Sequence, residues 1–116
     1  MQVLVDTSIW IDFFRKKEGS ERLLQLLESG SVVTHPYIIG ELQMGELPGL
    51  RKQVIDDLKN LPSVKIPPDS VISDFIENLK LFNTGLSYID AVLLCSAKSS
   101  GIQFLSSDKL LMKYMR

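Results

Sequence analysis

The chain has 116 residues, of which 45 % are hydrophobic, so the composition excludes a disordered chain and predicts a single domain over residues 1–116. Its 13 basic and 14 acidic residues give a formal charge of −1, so a nucleic acid would have to be held by a local patch or through a metal ion. The single cysteine, the absence of a basic leader and the lack of any apolar run near the roughly 20 residues that cross a membrane predict a cytoplasmic protein without membrane contact.

Short apolar runs that alternate with helical patterns predict an α/β fold. In chain order, the expected elements are strand Gln2–Val5, helices Thr7–Arg15 and Glu21–Glu28, strand Ser31–Thr34, helices Pro36–Met44 and Leu50–Leu61, strand Ser63–Ile66, helices Asp69–Phe82 and Ser87–Ser99, strand Ile102–Leu105 and helix Lys109–Met115. The four strands are short and mostly apolar, as in sheets covered on both faces. We therefore expect right-handed crossovers and a parallel sheet of four strands between helices, with ligands beyond the carboxyl ends of the strands.

Two acidic residues follow predicted strands at that edge of the sheet. Asp6 ends the first strand and Asp108 comes after the fourth. Glu41 lies inside a predicted helix, on a face that its neighbours make mostly apolar, which is an unusual place for a carboxylate. Asp90 opens the Ser87–Ser99 helix and should point toward the same interior edge.

Each acid also has a purely structural interpretation. Asp6 and Asp108 could cap the helices that follow them, with a stabilisation of about 1 kcal/mol each. Ser87 and Asp90 have the spacing of a capping box, although that motif prefers Glu or Gln at its last position. Glu41 has no capping role and would have to be tilted into solvent.

A shared metal site explains the four acids together. Two unit charges about 4 Å apart repel by about 4 kcal/mol at an effective dielectric constant near 20, so converging carboxylates need a counter-charge or shifted pKa values. Mg²⁺ or Mn²⁺ suits a site built of carboxylates alone, and the absence of a Cys/His cluster argues against zinc. Such an ion can activate water and stabilise a leaving oxygen, so phosphodiester hydrolysis is the natural reaction.

Four sequence motifs around these acids resemble those of the PIN-domain nucleases, above all the VapC-like toxins of bacterial and archaeal toxin–antitoxin pairs. The motifs are Val5–Trp10, Val33–Gly45, Leu86–Ala91 and Leu105–Lys109, and the resemblance covers nearly the whole chain. Any one motif is weak, but four in order at plausible spacing are specific. The usual fifth strand after the last helix is expected to be missing.

The resemblance implies a three-layer α/β/α sandwich and a metal-dependent endoribonuclease that cleaves single-stranded regions of RNA. Asp6, Glu41 and Asp90 would be the principal metal-site acids, and Asp108 would bind a metal directly or through water. Three hydroxyl residues, Thr7, Ser8 and Ser106, would hydrogen-bond to the metal-binding carboxylates or to water without touching the metal themselves. The resemblance also implies a cognate antitoxin and a homodimer.

Several other residues have competing interpretations. Trp10, Phe13 and Phe14 pack in the core by default, or form part of a surface for an antitoxin or second subunit. The basic groups Arg15–Lys17 and Lys109, Lys113 and Arg116 are solvated helix ends, or contacts to RNA phosphates. His35 is expected to cap or pack rather than act as a base.

Two alternatives concern the whole chain. A two-component receiver domain is disfavoured because Asp56 and Asp57 lie within a helical stripe rather than after a central strand. A non-catalytic PIN-like module that binds RNA or protein remains the competing hypothesis, and a test of metal-dependent cleavage distinguishes it from an enzyme.

Overall fold

The structure is a computed structural model that describes residues 1–115, and Arg116 of the second basic group lies outside the described residues. Its elements are β1 (Val3–Val5), α1 (Thr7–Phe14), α2 (Glu21–Glu28), β2 (Val32–Val33), α3 (Pro36–Gln43), α4 (Arg51–Asn60), α5 (Asp69–Asn78), α6 (Tyr88–Ser100), β3 (Gln103–Leu105) and α7 (Lys109–Lys113). Within this part of the chain, no helix is long and apolar enough to cross a membrane.

Strand β1 lies in the middle of a parallel sheet with the order β2-β1-β3. Val3 is paired with Val32 on one side and with Gln103 on the other, so both crossovers return to the same sheet. All three residues of β1 are at most 2 % exposed, which requires cover on both faces. Helix α1 packs against α2 and α3, while α6 packs against β3 and α5. The predicted α/β fold with a parallel sheet is confirmed.

The prediction of a fourth strand over Ser63–Ile66 is wrong. Only Ser63 is paired, in an isolated parallel bridge to Thr34 beyond the end of β2. Thr34 donates its backbone N–H to the Pro62 carbonyl, and Val64 donates to the Thr34 carbonyl, both at 2.8 Å. Prolines lack the N–H that a ladder needs, and Pro62 and Pro67 bound this segment on both sides. The segment therefore touches the sheet edge without extending it.

Helix α5 ends at Asn78, four residues before the predicted end at Phe82. Lys80 and Asn83 have φ angles of 53° and 60°, a left-handed backbone that cannot continue a right-handed helix. Leu81 turns into the core, while the Phe82 side chain is 53 % exposed. The prediction that this helix extends to Phe82 is thus wrong.

His35 is a fully buried link between α3 and α6. Its Nδ1 accepts a hydrogen bond from the Tyr37 N–H at 3.0 Å and caps α3, so the ring proton is on Nε2. This Nε2–H donates to the Ser96 hydroxyl at 3.0 Å, and that hydroxyl donates to the Val92 carbonyl. Burial lowers the pKa of His35 to about 4, so the imidazole is neutral near pH 7. The expectation that His35 caps and packs is confirmed.

His35 should make the fold sensitive to mild acid. Because its folded pKa of about 4 lies below the ordinary value of 6.5, its neutral form stabilises the protein fully above pH 6.5. This contribution is lost as pH falls toward 4, by up to about 3 kcal/mol. The difference in unfolding free energy between the wild type and His35→Asn, measured with urea in EDTA, should shrink over this range.

The variant keeps a side-chain acceptor for the cap of α3 and contains no group that titrates at position 35. Titration of the carboxylates is common to both proteins and cancels in the difference. A difference that stays constant from pH 7 to pH 4 would contradict a neutral buried imidazole.

Candidate functional site

The carboxylate of Asp6 is buried at the carboxyl end of β1, where hydrogen bonds from three residues hold it. Its Oδ1 accepts the Thr7 N–H at 2.8 Å, which caps α1. Its Oδ2 accepts the hydroxyls of Ser106 at 2.7 Å and Ser8 at 3.4 Å. Asp6 also donates its backbone N–H to the Leu105 carbonyl, which aligns the ends of β1 and β3. The local structure therefore leaves this side chain little freedom.

Glu41 is placed beside Asp6 by the packing of α3 against α1. The Thr7 hydroxyl donates to Glu41 Oε1 at 3.1 Å, so Thr7 touches both acids, one through its backbone and one through its side chain. Ile38, one turn earlier, is fully buried, whereas Met44, one turn later, is 89 % exposed. Glu41 itself is exposed. The solvated position of its structural interpretation is therefore the one observed, and the prediction of a mostly apolar face is wrong.

The capping interpretations of Asp90 and Asp108 are confirmed. Asp90 Oδ2 accepts the Ser87 N–H at 3.1 Å, and the Ser87 hydroxyl accepts the Asp90 N–H, which completes a capping box at the start of α6. Asp108 Oδ1 accepts the N–H groups of Leu110 and Leu111 at the start of α7. Since Asp6 caps α1, three of the four acids organise helix N-termini.

These caps leave part of each carboxylate available. Glu41 Oε2, Asp90 Oδ1 and Asp108 Oδ2 accept no hydrogen bond from any group in residues 1–115, while the other oxygen of each carboxylate is anchored. An anchored oxygen fixes the orientation of the group, and its free partner can bind water or a cation. Helix capping and ion binding are therefore compatible here.

Electrostatics shows which acids are neighbours. Burial raises the pKa of Asp6, and the charge of Asp90 raises it further, against the lowering effect of hydrogen bonds from Ser106, Thr7 and Ser8. Burial likewise raises the pKa of Glu41, and the charges of Asp6 and Asp90 add to this effect. Three carboxylates from distant parts of the chain thus lie within each other's field.

Asp108 is connected to this group through a hydroxyl rather than through its charge. Its backbone N–H donates to Ser106 Oγ at 3.1 Å, and Ser106 donates in turn to Asp6. A parallel contact runs from the Ser107 N–H to the Ser8 hydroxyl at 3.2 Å. Residues Ser8, Ser106 and Thr7 therefore tie three of the four acid-bearing segments, those of Asp6, Glu41 and Asp108, to the end of the sheet.

The carboxylates are neighbours without converging on one point. Within residues 1–115, no three His, Cys, Asp or Glu side chains are placed so that they could hold a metal ion together. All the available donors are carboxylate oxygens, and this chemistry fits a hard divalent cation.

Two depressions adjoin the acids and were not found from the sequence. One, of about 320 Å³, runs from Glu41 between α1 and α3 and is lined by Arg15, a residue that the sequence left between a solvated and a phosphate-binding role. The other, of about 180 Å³, is lined by Phe82 and Tyr88. The aromatic residue Tyr88 lies inside the third motif, but nothing in the sequence distinguishes an exposed tyrosine from a packed one. Trp10 is buried, as its default interpretation predicted.

Comparison with known proteins points in a single direction. A family model described as the PIN domain matches residues 3–114. Ribonuclease VapC32 from Mycobacterium tuberculosis is 34 % identical over 110 residues, which cover 94 % of this chain and 86 % of the relative.

Two solved structures have a similar fold. PAE2754 from Pyrobaculum aerophilum aligns with a TM-score of 0.65 and 15 % identity over 100 % of this chain and 86 % of its own. FitAcB from Neisseria gonorrhoeae aligns with a TM-score of 0.66 and 18 % identity over 98 % of this chain and 93 % of its own. At this identity, the two likenesses concern the fold alone.

Partial burial of the Glu41 carboxylate, together with the charges of Asp6 and Asp90, should destabilise the metal-free protein at neutral pH. The pKa of Glu41 is raised, so the stability that its protonated form provides at low pH is lost as pH rises through the folded pKa. Glu41→Gln cannot ionise and keeps an oxygen that accepts the Thr7 hydroxyl. In EDTA, its unfolding free energy relative to wild type should increase between pH 4 and pH 7.

The matched control is Glu28→Gln at the exposed end of α2, which removes a carboxylate away from the acidic group. Its stability relative to wild type should change much less with pH. Equal pH profiles for the two variants would show that Glu41 does not experience the charges of its neighbours.

Proposed function

The chain belongs to the PIN-domain family, and from this premise we propose that it is an endoribonuclease that requires Mg²⁺ or Mn²⁺ and hydrolyses phosphodiester bonds in single-stranded regions of RNA. Support comes from the relative named Ribonuclease VapC32, which shares 34 % of its residues with this chain over most of both lengths. The observation that carries the proposal is the mutual electrostatic influence of Asp6, Glu41 and Asp90 at the carboxyl end of β1. Carboxylates at a sheet edge without a counter-charge lower the stability of the fold. Their presence together at this edge therefore favours a functional role.

Asp6, Glu41 and Asp90 would hold the cation, and Asp108 would hold it directly or through water. When bound, the ion would supply Lewis-acid polarisation of a phosphoryl oxygen and a lowered pKa for a water molecule. The chain's own part is to fix the carboxylates. Ser106 and Ser8 hold Asp6, Thr7 holds Glu41, and the caps hold Asp90 and Asp108.

Water is the nucleophile in this proposal. Its oxygen forms the new bond to phosphorus, the bond to the leaving oxygen of the chain breaks, and the proton passes to a carboxylate oxygen. The candidate acceptors are the carboxylate oxygens that accept no hydrogen bond within residues 1–115, namely Glu41 Oε2, Asp90 Oδ1 and Asp108 Oδ2.

The biological setting follows from the same family. We propose that the chain is the toxin of a toxin–antitoxin pair, that a cognate antitoxin protein neutralises it, and that it forms a homodimer in the cytoplasm. Residues 1–116 would act as one domain, since the family match runs from residue 3 to residue 114. The supporting features are the four motifs around the acids and the length of the match.

The decisive experiment is cleavage of a pooled single-stranded RNA by the purified protein. Cleavage should require Mg²⁺ or Mn²⁺ and stop in EDTA. Asp6→Asn and Asp90→Asn should each lower the rate of cleavage by more than about 100-fold. This exceeds the loss of about 10- to 100-fold that is typical when a residue that only hydrogen-bonds to a metal ligand is replaced. Mn²⁺ should also raise the unfolding temperature of wild type and not of Asp6→Asn.

The control is Asp56→Asn, the same chemical change on the exposed face of α4. It should cleave RNA and respond to Mn²⁺ as wild type does. If Asp6→Asn cleaves as fast as wild type, the mechanism is wrong. If neither cleavage nor stabilisation by Mn²⁺ occurs, the chain is the non-catalytic binding module.

A further inference from the structure

Two aromatic side chains face solvent in a chain that otherwise buries its aromatic residues. Tyr88 is 57 % exposed and Phe82 is 53 % exposed. Every other aromatic side chain in residues 1–115 is buried or half-buried. A large exposed ring lacks the apolar contact that usually stabilises it, so two such rings on one surface need an explanation.

Phe82 belongs to the connection between α5 and α6, residues 79–87, which is held in a defined shape, and Tyr88 is the first residue of α6. The Thr84 hydroxyl donates to the Leu81 carbonyl at 2.6 Å and accepts the Leu86 N–H at 3.3 Å. Leu81 anchors the connection in the core at 5 % exposure. Two residues, Lys80 and Asn83, have left-handed φ angles that turn the chain on either side of this anchor. Phe82 is thus presented by ordered backbone rather than by a frayed helix end.

Phe82 and Tyr88 line the same depression of about 180 Å³. Its floor contains apolar side chains, including Leu86 and Ala91, and Asn83 supplies an amide at its wall. The depression is therefore an apolar recess with aromatic rings and one polar group that can both donate and accept hydrogen bonds.

The recess lies beside the capping box of α6, which contains Asp90. Ser87 lines it, and the backbone N–H of Ser87 is bonded to Asp90 Oδ2 at 3.1 Å. On the other side, Gly85 lies against Leu110, since a Cβ at Gly85 would be 3.8 Å from Leu110 Cδ2. Leu110 is in α7, the helix that Asp108 caps. The connection thus passes between the helix starts that carry Asp90 and Asp108.

We propose that this recess binds an unpaired nucleobase of the substrate, stacked on Tyr88 and Phe82, next to the bond that is cleaved. The inference rests on the proposed function and adds a contact that selects single-stranded RNA. Bases in a duplex are already stacked and paired, whereas an unpaired base can leave the strand and stack on a side chain. A base fits the recess because it is flat and has polar edges, as Asn83 requires.

Recognition by stacking also accounts for the near-neutral charge of the chain. A protein with a formal charge of −1 and an acidic site cannot depend on a broad basic surface to hold RNA. Stacking contributes about 1–3 kcal/mol for each base and is tolerant of sequence. Tyr88 and Phe82 are positioning residues in this scheme, since they orient the strand and do not touch the reacting phosphate.

The test compares Tyr88→Ala, Tyr88→Phe and Phe82→Ala on an RNA that wild type cleaves, and on copies with one abasic nucleotide at each position near the cut. Tyr88→Ala should lower kcat/KM by about 5- to 150-fold, mainly through KM, and Tyr88→Phe should retain wild-type values. At one abasic position near the cut, loss of the base should lower kcat/KM for wild type and leave kcat/KM for Tyr88→Ala unchanged. Val71→Ala, an exposed apolar residue of α5 outside the recess, is the matched control and should behave as wild type.

A second measurement separates this inference from the nuclease activity. Single-stranded RNA that carries 2-aminopurine should lose fluorescence on wild type in the presence of Mg²⁺, and much less on Tyr88→Ala. Quenching without any cleavage would support the recess and overturn the proposed function. Cleavage by Tyr88→Ala at the wild-type KM, on intact and abasic RNA alike, would overturn the recess and leave the proposed function standing.

Light scattering, which measures the oligomeric state, tests whether the two rings instead form an interface between two copies of the chain. Tyr88→Ala should keep the oligomeric state of wild type, because a base-binding surface makes no contact between copies. A change of mass together with an equal loss on every RNA would assign the two rings to an interface between two copies of this chain and overturn the inference.

Discussion

The hydroxyl of Ser106 joins the ends of the two strands on which the acidic site is built. It donates to Asp6 at 2.7 Å and accepts the N–H of Asp108, while the Asp6 N–H is bonded to the chain just before it, at Leu105. These contacts hold a buried carboxylate whose pKa burial raises. A buried carboxylate without such donors would not remain at the end of an apolar strand. The position of Asp6 relative to Asp108 is therefore held by this hydroxyl together with the pairing of β1 and β3 and the Ser107–Ser8 contact.

The acids have a structural role, and under the proposed function they have a chemical role as well. Asp6, Asp90 and Asp108 cap three helices, and each cap uses part of the carboxylate. The dipole at a helix start favours a negative charge, which offsets part of the repulsion between the acids. Burial raises the pKa values of Asp6 and Glu41, and the charges of neighbouring carboxylates add to both shifts. Capping and ion binding are thus two uses of one arrangement, and evidence for a cap does not exclude a site.

Local patterns in the sequence predict the order of the elements well, because strand and helix periodicities, caps and prolines act over a few residues. The helix Glu21–Glu28 has the predicted bounds, and β1 begins one residue later than predicted. The prediction of a strand over Ser63–Ile66 was wrong because the segment has the apolar content of a strand, whereas prolines on both sides limit its pairing. The predicted helix end at Phe82 was wrong because the left-handed turns at Lys80 and Asn83 interrupt an apolar pattern that has helical spacing.

The candidate site shows the same limit. The edge where Asp6 and Asp108 lie follows from parallel topology, which the alternation of strands and helices predicts. The spacing of the carboxylates does not follow, since it depends on how α1, α3 and α6 pack and on how unscreened charges separate. Exposure of Tyr88 and Phe82 is likewise a tertiary property that no short pattern encodes.

The contact between His35 and Ser96 has a consequence for how this family member can vary. Glu41 lies six residues after His35 on α3, and Asp90 lies six residues before Ser96 on α6. Two helical segments, each about 9 Å long, are joined at one end by the His35–Ser96 hydrogen bond and carry the two acids at the other end. Inserting or deleting one residue in either interval would shift its acid by about 1.5 Å and turn it by about 100°. These two intervals are therefore constrained in length as well as in the buried side chains that they carry.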